Sequence, residues 1–469
     1  MITPNLLLLT DSYKVTHWPQ YPVGTTRVHS YFESRGGEFE EAVFFGLQYY
    51  LKRYLQEGIF QDDIIEAEEF FEAHFGTPKL FNRAGWQHIL DAHGGRLPVS
   101  IRAVAEGTVV PRSNVLMTVE NTDPLVPWLT NYLETLLVQV WYGTTVATQS
   151  REMKRLILHY LSATGDPGMI DFKLHDFGFR GVSSVESAGV GGAAHLVNFK
   201  GTDTMAALVV ARDYYNEPMA GFSIPAAEHS TITSWGRERE IDAFRNMISQ
   251  FGSGAPGLYA VVSDSYDIYH ACSALWGGQL KAEVLAAPNT LVVRPDSGTP
   301  HQVVIEVLER LGLAFGTTTN SKGFKVLNKV RVIQGDGIDY LETNRILMNM
   351  LNFGWSADNI AFGMGGALLQ KLNRDTMSFA FKCSAVEVGG EWRPVQKQPA
   401  TDPLKNSKAG RLKLVQTSQG YETVPDNYWT GPDQLIEVFR DGEILADHSL
   451  ADIRVRAALP VAVEEPAAA

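Results

Sequence analysis

Three aspartates, Asp264, Asp296 and Asp336, each follow a short apolar or β-branched run. Tyr259-Ala-Val-Val262 leads into Ser263-Asp-Ser-Tyr-Asp267, Leu291-Val-Val293 into Arg294-Pro-Asp-Ser-Gly298, and Val330-Arg-Val-Ile333 into Gln334-Gly-Asp-Gly337. Carboxylates at equivalent strand ends could hold Mg2+, orient a basic side chain or grip sugar hydroxyls. One aspartate in such a place more often caps a helix, but three equivalent ones point to a shared task. His229 stands beside Glu228 in Ser223-Ile-Pro-Ala-Ala-Glu-His-Ser-Thr231. A histidine at a strand end next to acidic groups can act as base or nucleophile, although a lone histidine is usually a satisfied core or surface residue. Gly363-Met-Gly-Gly366 precedes Ala367-Leu-Leu-Gln-Lys-Leu372, so glycines sit where a strand hands over to a helix. Free backbone N–H groups and the helix dipole make that a seat for phosphate; glycine pairs also serve plain tight turns. With Gly335-Asp336-Gly337 at the neighbouring strand end, the two turns favour a phosphorylated sugar as ligand. Arg374, Lys382, Lys397, Lys405, Lys408 and Arg411 form a basic cluster in an otherwise acidic chain. It fits either further phosphates or a solvated loop, and Asp402-Pro-Leu-Lys-Asn-Ser-Lys-Ala-Gly410 has the composition of a loop.

These residues need a scaffold that gathers strand ends. Seven blocks share one layout, a short strand-like run, then a polar or glycine cluster, then an amphipathic stretch. Besides those quoted, they begin at Leu174-His-Asp-Phe-Gly-Phe-Arg-Gly181 and Asn198-Phe-Lys-Gly-Thr-Asp-Thr204. The rhythm predicts an α/β fold with a (β/α) barrel-like catalytic domain over residues 166–374, its reactive groups at the carboxyl ends of the strands. A doubly wound open sheet would give a similar series. Residues 1–165 and 375–469 are expected to form a second, α+β domain, with strands at Val28–Phe32, Val99–Val104 and Val115–Val119. Helical spacing covers Phe44–Leu55 and Asp62–Phe75, the latter with acidic residues opposite Ile65, Phe70 and Phe71. Trp128–Leu161 reads as two helices interrupted near Tyr142-Gly-Thr-Thr145.

The net charge of −13 argues against a nucleic-acid partner, which needs a broad basic face. No apolar run is long enough to span a membrane, and Leu6-Leu-Leu-Leu9 lacks the basic flank of a secretory signal. Cys272 and Cys383 lie in apolar patterns and are expected to be free thiols, which fits a reducing cytoplasm.

Several blocks, taken in order, carry a resemblance. Asp11-Ser-Tyr-Lys14, His175-Asp-Phe-Gly-Phe-Arg-Gly-Val-Ser-Ser184, Lys200-Gly-Thr-Asp-Thr204, Pro225-Ala-Ala-Glu-His-Ser-Thr231, Ser263-Asp-Ser-Tyr-Asp267, Arg294-Pro-Asp-Ser-Gly298 and Gln334-Gly-Asp-Gly337 together resemble the nicotinamide phosphoribosyltransferase family. The resemblance extends from Asn5 to Arg411. It implies a barrel-type homodimer with active sites at the subunit interface, transferring phosphoribose from phosphoribosyl pyrophosphate to nicotinamide in NAD salvage. Mg2+ is implied as cofactor and ATP as co-substrate, with ATP hydrolysis coupled through a phosphorylated histidine.

On the matching positions, the resemblance implies that the nicotinamide ring stacks between Phe177 and Tyr13 of the other subunit, and that Asp203 accepts a hydrogen bond from the carboxamide NH2. It places Arg180 and Arg294 near the base and the ribose 5-phosphate, Asp296 on the ribose, and Gly335, Asp336, Gly365 and Gly366 along the sugar-phosphate seat. Arg35, Arg374, Lys382, Lys397 and Lys405 are implied around the pyrophosphate and the ATP phosphates, His229 as the phosphorylated group and Asp264 as its hydrogen-bond partner. Ala380 and Met364 depart from the family pattern, which has a small hydroxyl residue and a serine there. Nicotinate phosphoribosyltransferase, a non-catalytic binding protein on the same fold, and a metal-dependent hydrolase built on His175 and His229 are the competing readings. The last lacks a tight metal-ligand spacing.

Overall fold

Runs such as Leu291-Val-Val293 are apolar on both faces of an extended chain, so they are satisfied only in the middle of a sheet covered on both sides. In the computed structural model, which describes residues 4–398, 401 and 406–459, they take that position. The chain gathers into two compact units, one of residues 1–148, 210–217 and 372–458, the other including residues 149–209 and 218–371.

The second unit is built on six parallel strands in the order Gly201–Thr202, Leu174–Asp176, Ile360–Met364, Val330–Gln334, Thr290–Arg294, Leu258–Val262. The two edges of this sheet are joined by one segment. Phe222 bridges in parallel to Gly201, and Ala226 bridges in parallel to Ala260. The Phe222 amide donates to the Lys200 carbonyl at 2.7 Å and the Ala260 amide to the Pro225 carbonyl at 2.8 Å. This segment occupies the remaining strand place of a barrel-like ring without becoming a regular strand, since Pro225 has no N–H to offer the ladder. All seven strand places inferred from the sequence are thus present, and the fold is a mixed α/β barrel-like one.

Helices cover the sheet where the sequence gives them caps. Asp339 accepts from the Glu342 amide at 2.8 Å and starts the helix Tyr340–Asn352, and Pro300 occupies the first turn of Pro300–Phe315, where a missing N–H costs nothing. Pro300–Phe315 buries Val303, Val304, Val307, Leu308 and Leu311, a stripe at helical spacing. Lys173 lies buried beside the sheet with its ammonium donating to the carbonyls of Ala357, Asp358 and Ile360 at 2.9–3.1 Å. Burial lowers its pKa to about 8.

The first unit carries a seven-stranded antiparallel sheet in the order Glu391–Pro394, Phe379–Val388, Thr25–Ser34, Val115–Asn121, Val99–Ala103, Ile436–Arg440, Glu443–Ile444. Two helical expectations are corrected here. The helix Gln61–Phe75 buries Ile64, Ala67 and Phe71, while Ile65 and Phe70 are exposed. Adjacent residues lie about 100° apart on a helix, and the narrow core face of this one takes Phe71 and turns Phe70 outward. Trp128–Leu161 is not broken at Tyr142-Gly-Thr-Thr145; two short turns, Leu129–Tyr132 and Glu134–Leu137, precede one helix, Val140–Thr164. Gly143 costs that helix about 1 kcal/mol of propensity, which packing offsets. Cys272 and Cys383 are free thiols. Among the described residues no helix is long and apolar enough to cross a membrane.

Candidate functional site

In a parallel sheet every carboxyl end points the same way, so residues after neighbouring strands meet. Asp264, Asp296 and Asp336 each stand two residues beyond a strand, after Val262, Arg294 and Gln334. Those strands are neighbours. Asp264, whose side chain is buried, accepts from His229 Nε2 at 2.9 Å; Nδ1 of the same ring lies 3.9 Å from Asp296 Oδ2. The Arg294 guanidinium donates to Asp296 Oδ1 from Nη2 at 2.7 Å and from Nε at 3.1 Å, and it sits 5.7 Å from the centroid of the Phe177 ring. Histidine, two aspartates and an arginine therefore form one connected line along the strand ends.

Beside that line opens a cleft of about 410 Å3, lined by Phe177, Arg180, Asp203, Arg294, Asp296, Gly335, Asp336, Gly365 and Gly366. These nine residues expected at the site share its lining with Phe179, Gly181, Thr204, Gly337, Ile338, Ala367 and Lys371. Phe177 is held by its own amide, which donates to the Met364 carbonyl at 3.0 Å, and by the flat floor beneath its ring. Gly363 makes that floor: a Cβ there would lie 2.0 Å from a ring carbon. Gly366 serves differently, since a Cβ on it would meet no atom within 4 Å and would project into open space. The two glycines thus give a plate for a flat ring and room for backbone to approach a ligand. Met364 is buried at the end of the Ile360–Met364 strand.

Asp203 follows the Gly201–Thr202 strand, and its amide donates to the Asp176 carbonyl at 3.0 Å. Its Oδ1 accepts a hydrogen bond from the Ser223 hydroxyl, which fixes the carboxylate and leaves Oδ2 for a ligand. Asp176 is buried beneath, accepting from the Gly178 amide at 2.7 Å and so shaping the turn that carries Phe177 and Arg180. Its carboxyl is pushed up to about 6, chiefly by burial and further by the Asp203 charge, against the Gly178 amide and the Thr204 hydroxyl.

Asp176, Ser223 and Lys371 belong to the site although the sequence did not single them out; Lys371 lines the cleft with Arg180 and Arg294. Each lies inside a block already prominent in the sequence, but nothing local distinguishes a side chain aimed at the cleft from its neighbours. A strand's period of two was the available signal for Asp176, on the Leu174–Asp176 strand.

The first unit holds the other expected residues. Tyr13 is 57% exposed on the short turn Ser12–Thr16, which is pinned by buried Lys14, whose ammonium pairs with Glu134 at 2.7 Å. Asp11 does not cap that turn; its Oδ2 accepts from the Thr135 hydroxyl at 2.9 Å. Lys382 is half-buried and its pKa is lowered, first by burial and then by the charges of Arg35, Arg374 and Lys397, against the opposing pull of Glu134. Four of the expected phosphate-binding cations therefore share one region, while Lys405 lies outside the described residues. Lys408 and Arg411, from the same basic cluster, serve structure instead: Lys408 pairs with buried Glu33, and Arg411 with Glu120 and Asp426 at 3.4 and 3.2 Å. Ala380 is buried opposite Glu33 in the sheet.

Comparison with known proteins now bears on this geometry. The nicotinate phosphoribosyltransferase (NAPRTase) family matches residues 172–442, and the nicotinamide phosphoribosyltransferase N-terminal domain matches residues 5–101. The nicotinamide phosphoribosyltransferase of Xanthomonas campestris pv. campestris (strain 8004) is 53% identical over 463 residues, with 97% of this chain and 98% of that protein covered. The chain belongs to the nicotinamide phosphoribosyltransferase family. A relative of the same name from Acinetobacter baylyi (strain ATCC 33305 / BD413 / ADP1) is 32% identical over 97% of both chains. Among solved structures, nicotinate-nucleotide pyrophosphorylase from Pyrococcus furiosus superposes with a TM-score of 0.61 at 16% identity, covering 97% of this chain and 95% of that one. Human nicotinic acid phosphoribosyltransferase gives 0.58 at 17%, covering 96% and 93%. These two likenesses concern the fold. Membership makes the chain a phosphoribosyltransferase enzyme of NAD biosynthesis.

Proposed function

We propose that this chain transfers phosphoribose from phosphoribosyl pyrophosphate to the ring nitrogen of nicotinamide, releasing nicotinamide mononucleotide and pyrophosphate. The observation that carries the choice of base is Asp203, a carboxylate held by Ser223 in the cleft that Phe177 also lines. A carboxylate accepts the carboxamide N–H and repels the carboxylate of nicotinate. Phe177 offers one flat face to the ring, and stacking of this kind contributes ~0.5–1.5 kcal/mol beyond burial.

On this reading the phosphoribosyl group lies over Gly335, Asp336, Gly365 and Gly366, with Arg180 and Lys371 supplying positive charge and Asp296, steadied by Arg294, taking ribose hydroxyls. The uncharged pyridine nitrogen attacks ribose C1 as the C1–O bond to pyrophosphate breaks, and both electrons of that bond leave with the pyrophosphate. Asp296 and Asp336 on the cleft wall are the carboxylates that would hold Mg2+ together with substrate phosphates, and the ion would supply positive charge to the departing pyrophosphate. Positioning and fixed charge carry the rate, and no covalent sugar–enzyme step is required.

The proposal extends to ATP and to a homodimer. With Nε2 of His229 donating to Asp264, the lone pair belongs to Nδ1, the nitrogen available to accept a phosphoryl group. Exposed Tyr13 and some of the cations Arg35, Arg374, Lys382 and Lys397 are the groups a second copy would contribute. The test is to incubate purified protein with phosphoribosyl pyrophosphate, Mg2+ and either base, with and without ATP, and to identify the nucleotide. Nicotinamide mononucleotide should dominate and ATP should raise its yield. Equal turnover of the two bases would sink the Asp203 argument, and absence of pyrophosphate release would leave a binding protein.

A further inference from the structure

We propose that His88, His93 and Asp123 form a site for one divalent transition-metal ion, Zn2+ being the species their chemistry favours, separate from the catalytic cleft. All three belong to the first unit. Both imidazole Nε2 atoms lie 2.7 Å from one oxygen, Asp123 Oδ2, and the three donor atoms fall within 4.8 Å of one another. The two rings are nearly perpendicular, at 83°, with centroids 5.9 Å apart. Two imidazoles and a carboxylate are a donor set for zinc and its neighbours; Mg2+, a hard ion, prefers oxygen alone. Bonds of about 2.1 Å in a tetrahedral site set ligand atoms about 3.4 Å apart, so each nitrogen–oxygen contact need widen by only about 0.7 Å to admit the ion.

The site is held from behind. Asp123 Oδ1 accepts from the Leu125 amide at 2.8 Å, and the Asp123 carbonyl accepts from buried Asn121 Nδ2 at 2.7 Å, so only Oδ2 is left to turn toward the histidines. His93 is the last residue of the helix Arg83–His93, fixed by the left-handed Gly94 cap at φ 61° and by the Arg96 amide on its carbonyl at 3.2 Å. The side chains are 30%, 29% and 11% exposed, which leaves a fourth position open to water. Spacing concealed this cluster, because residues five apart on a helix diverge by about 140° and converge only on a third element. The ion would tie the end of this helix to the turn after the Val115–Asn121 strand.

The competing possibility is that two imidazole N–H groups merely share a carboxylate. Full-length protein stripped with a chelator and titrated with Zn2+ should bind one equivalent per chain with micromolar or tighter affinity, undiminished by excess Mg2+. Co2+ should develop the visible absorption of a four- or five-coordinate site, and the thermal midpoint should rise with Zn2+. His88→Gln and His93→Gln should each lose the equivalent, whereas His159→Gln, an exposed histidine elsewhere, should keep it. Unchanged binding in both variants, or a Co2+ spectrum like that of the free aqua ion in the unaltered protein, would overturn the site. The Co2+ spectrum needs no variant, so it decides the matter even if a substitution impairs folding.

Discussion

Replacing Asp203 with Asn keeps the size of the side chain and an oxygen for the Ser223 hydroxyl, but removes the charge that discriminates between amide and acid. A nicotinate carboxylate about 4 Å from Asp203 is opposed by ~4 kcal/mol at an effective dielectric of 20 and by ~1 kcal/mol in bulk water. Asp203 is exposed at the mouth of the cleft, so the realised value lies between these limits. About 2 kcal/mol, or roughly 30-fold, is the expected preference from repulsion. The charge-assisted hydrogen bond to the carboxamide adds ~1 kcal/mol over a neutral one. Asp203→Asn should therefore shift the ratio of kcat/KM for nicotinamide over nicotinate toward nicotinate by roughly 30- to 200-fold, combining both effects. The assay is initial-rate kinetics with each base at saturating phosphoribosyl pyrophosphate, with chromatographic identification of the two mononucleotides. A ratio that stays within about threefold of the unaltered enzyme, under 1 kcal/mol, would refute the assignment of base choice to this charge.

Three further outcomes are expected. Gly363→Ala places a Cβ 2.0 Å from a Phe177 ring carbon, so the ring must leave its floor; KM for nicotinamide should rise about 10-fold, with an overpacking cost of ~1–3 kcal/mol visible in denaturant unfolding. An unchanged KM would mean that Phe177 does not position the base. His229→Gln should abolish ATP hydrolysis coupled to synthesis, measured as the ATP-dependent increment in nucleotide yield; a surviving increment would remove His229 from that role. Glu106 is buried, and burial lifts its carboxyl to about 7 against the Gln48 and Gly46 amides and Arg456. Because the folded form holds the proton more tightly, the contribution of Glu106 to stability should be fully present below the ordinary value of 4.5 and be lost as pH rises through about 7, by at most on the order of 3 kcal/mol. Glu106→Gln should flatten that slope in unfolding measured across the window, and an identical slope would contradict the assignment.

Much of the site was legible in the sequence because a parallel sheet converts order along the chain into proximity. A residue just past a buried apolar run must lie at the carboxyl end of a strand, so Asp264, Asp296, Asp336 and the glycines of residues 363–366 could be brought together without knowing the strand order. The sheet itself was legible for the same reason, down to the Ser223-Ile-Pro-Ala-Ala227 segment, whose proline left it bridges in place of a ladder. Side-chain direction and long-range pairing were not. Lys408 and Arg411 belong to the same basic cluster as Lys382, and only the fold hands the first two to Glu33, Glu120 and Asp426. Ser223 reaches Asp203 from the neighbouring strand place, and His88 and His93 meet only because the turn at Asp123 arrives between them. Periodicity states which residues can share a face, whereas the partner that face meets is set by packing between segments distant in the chain.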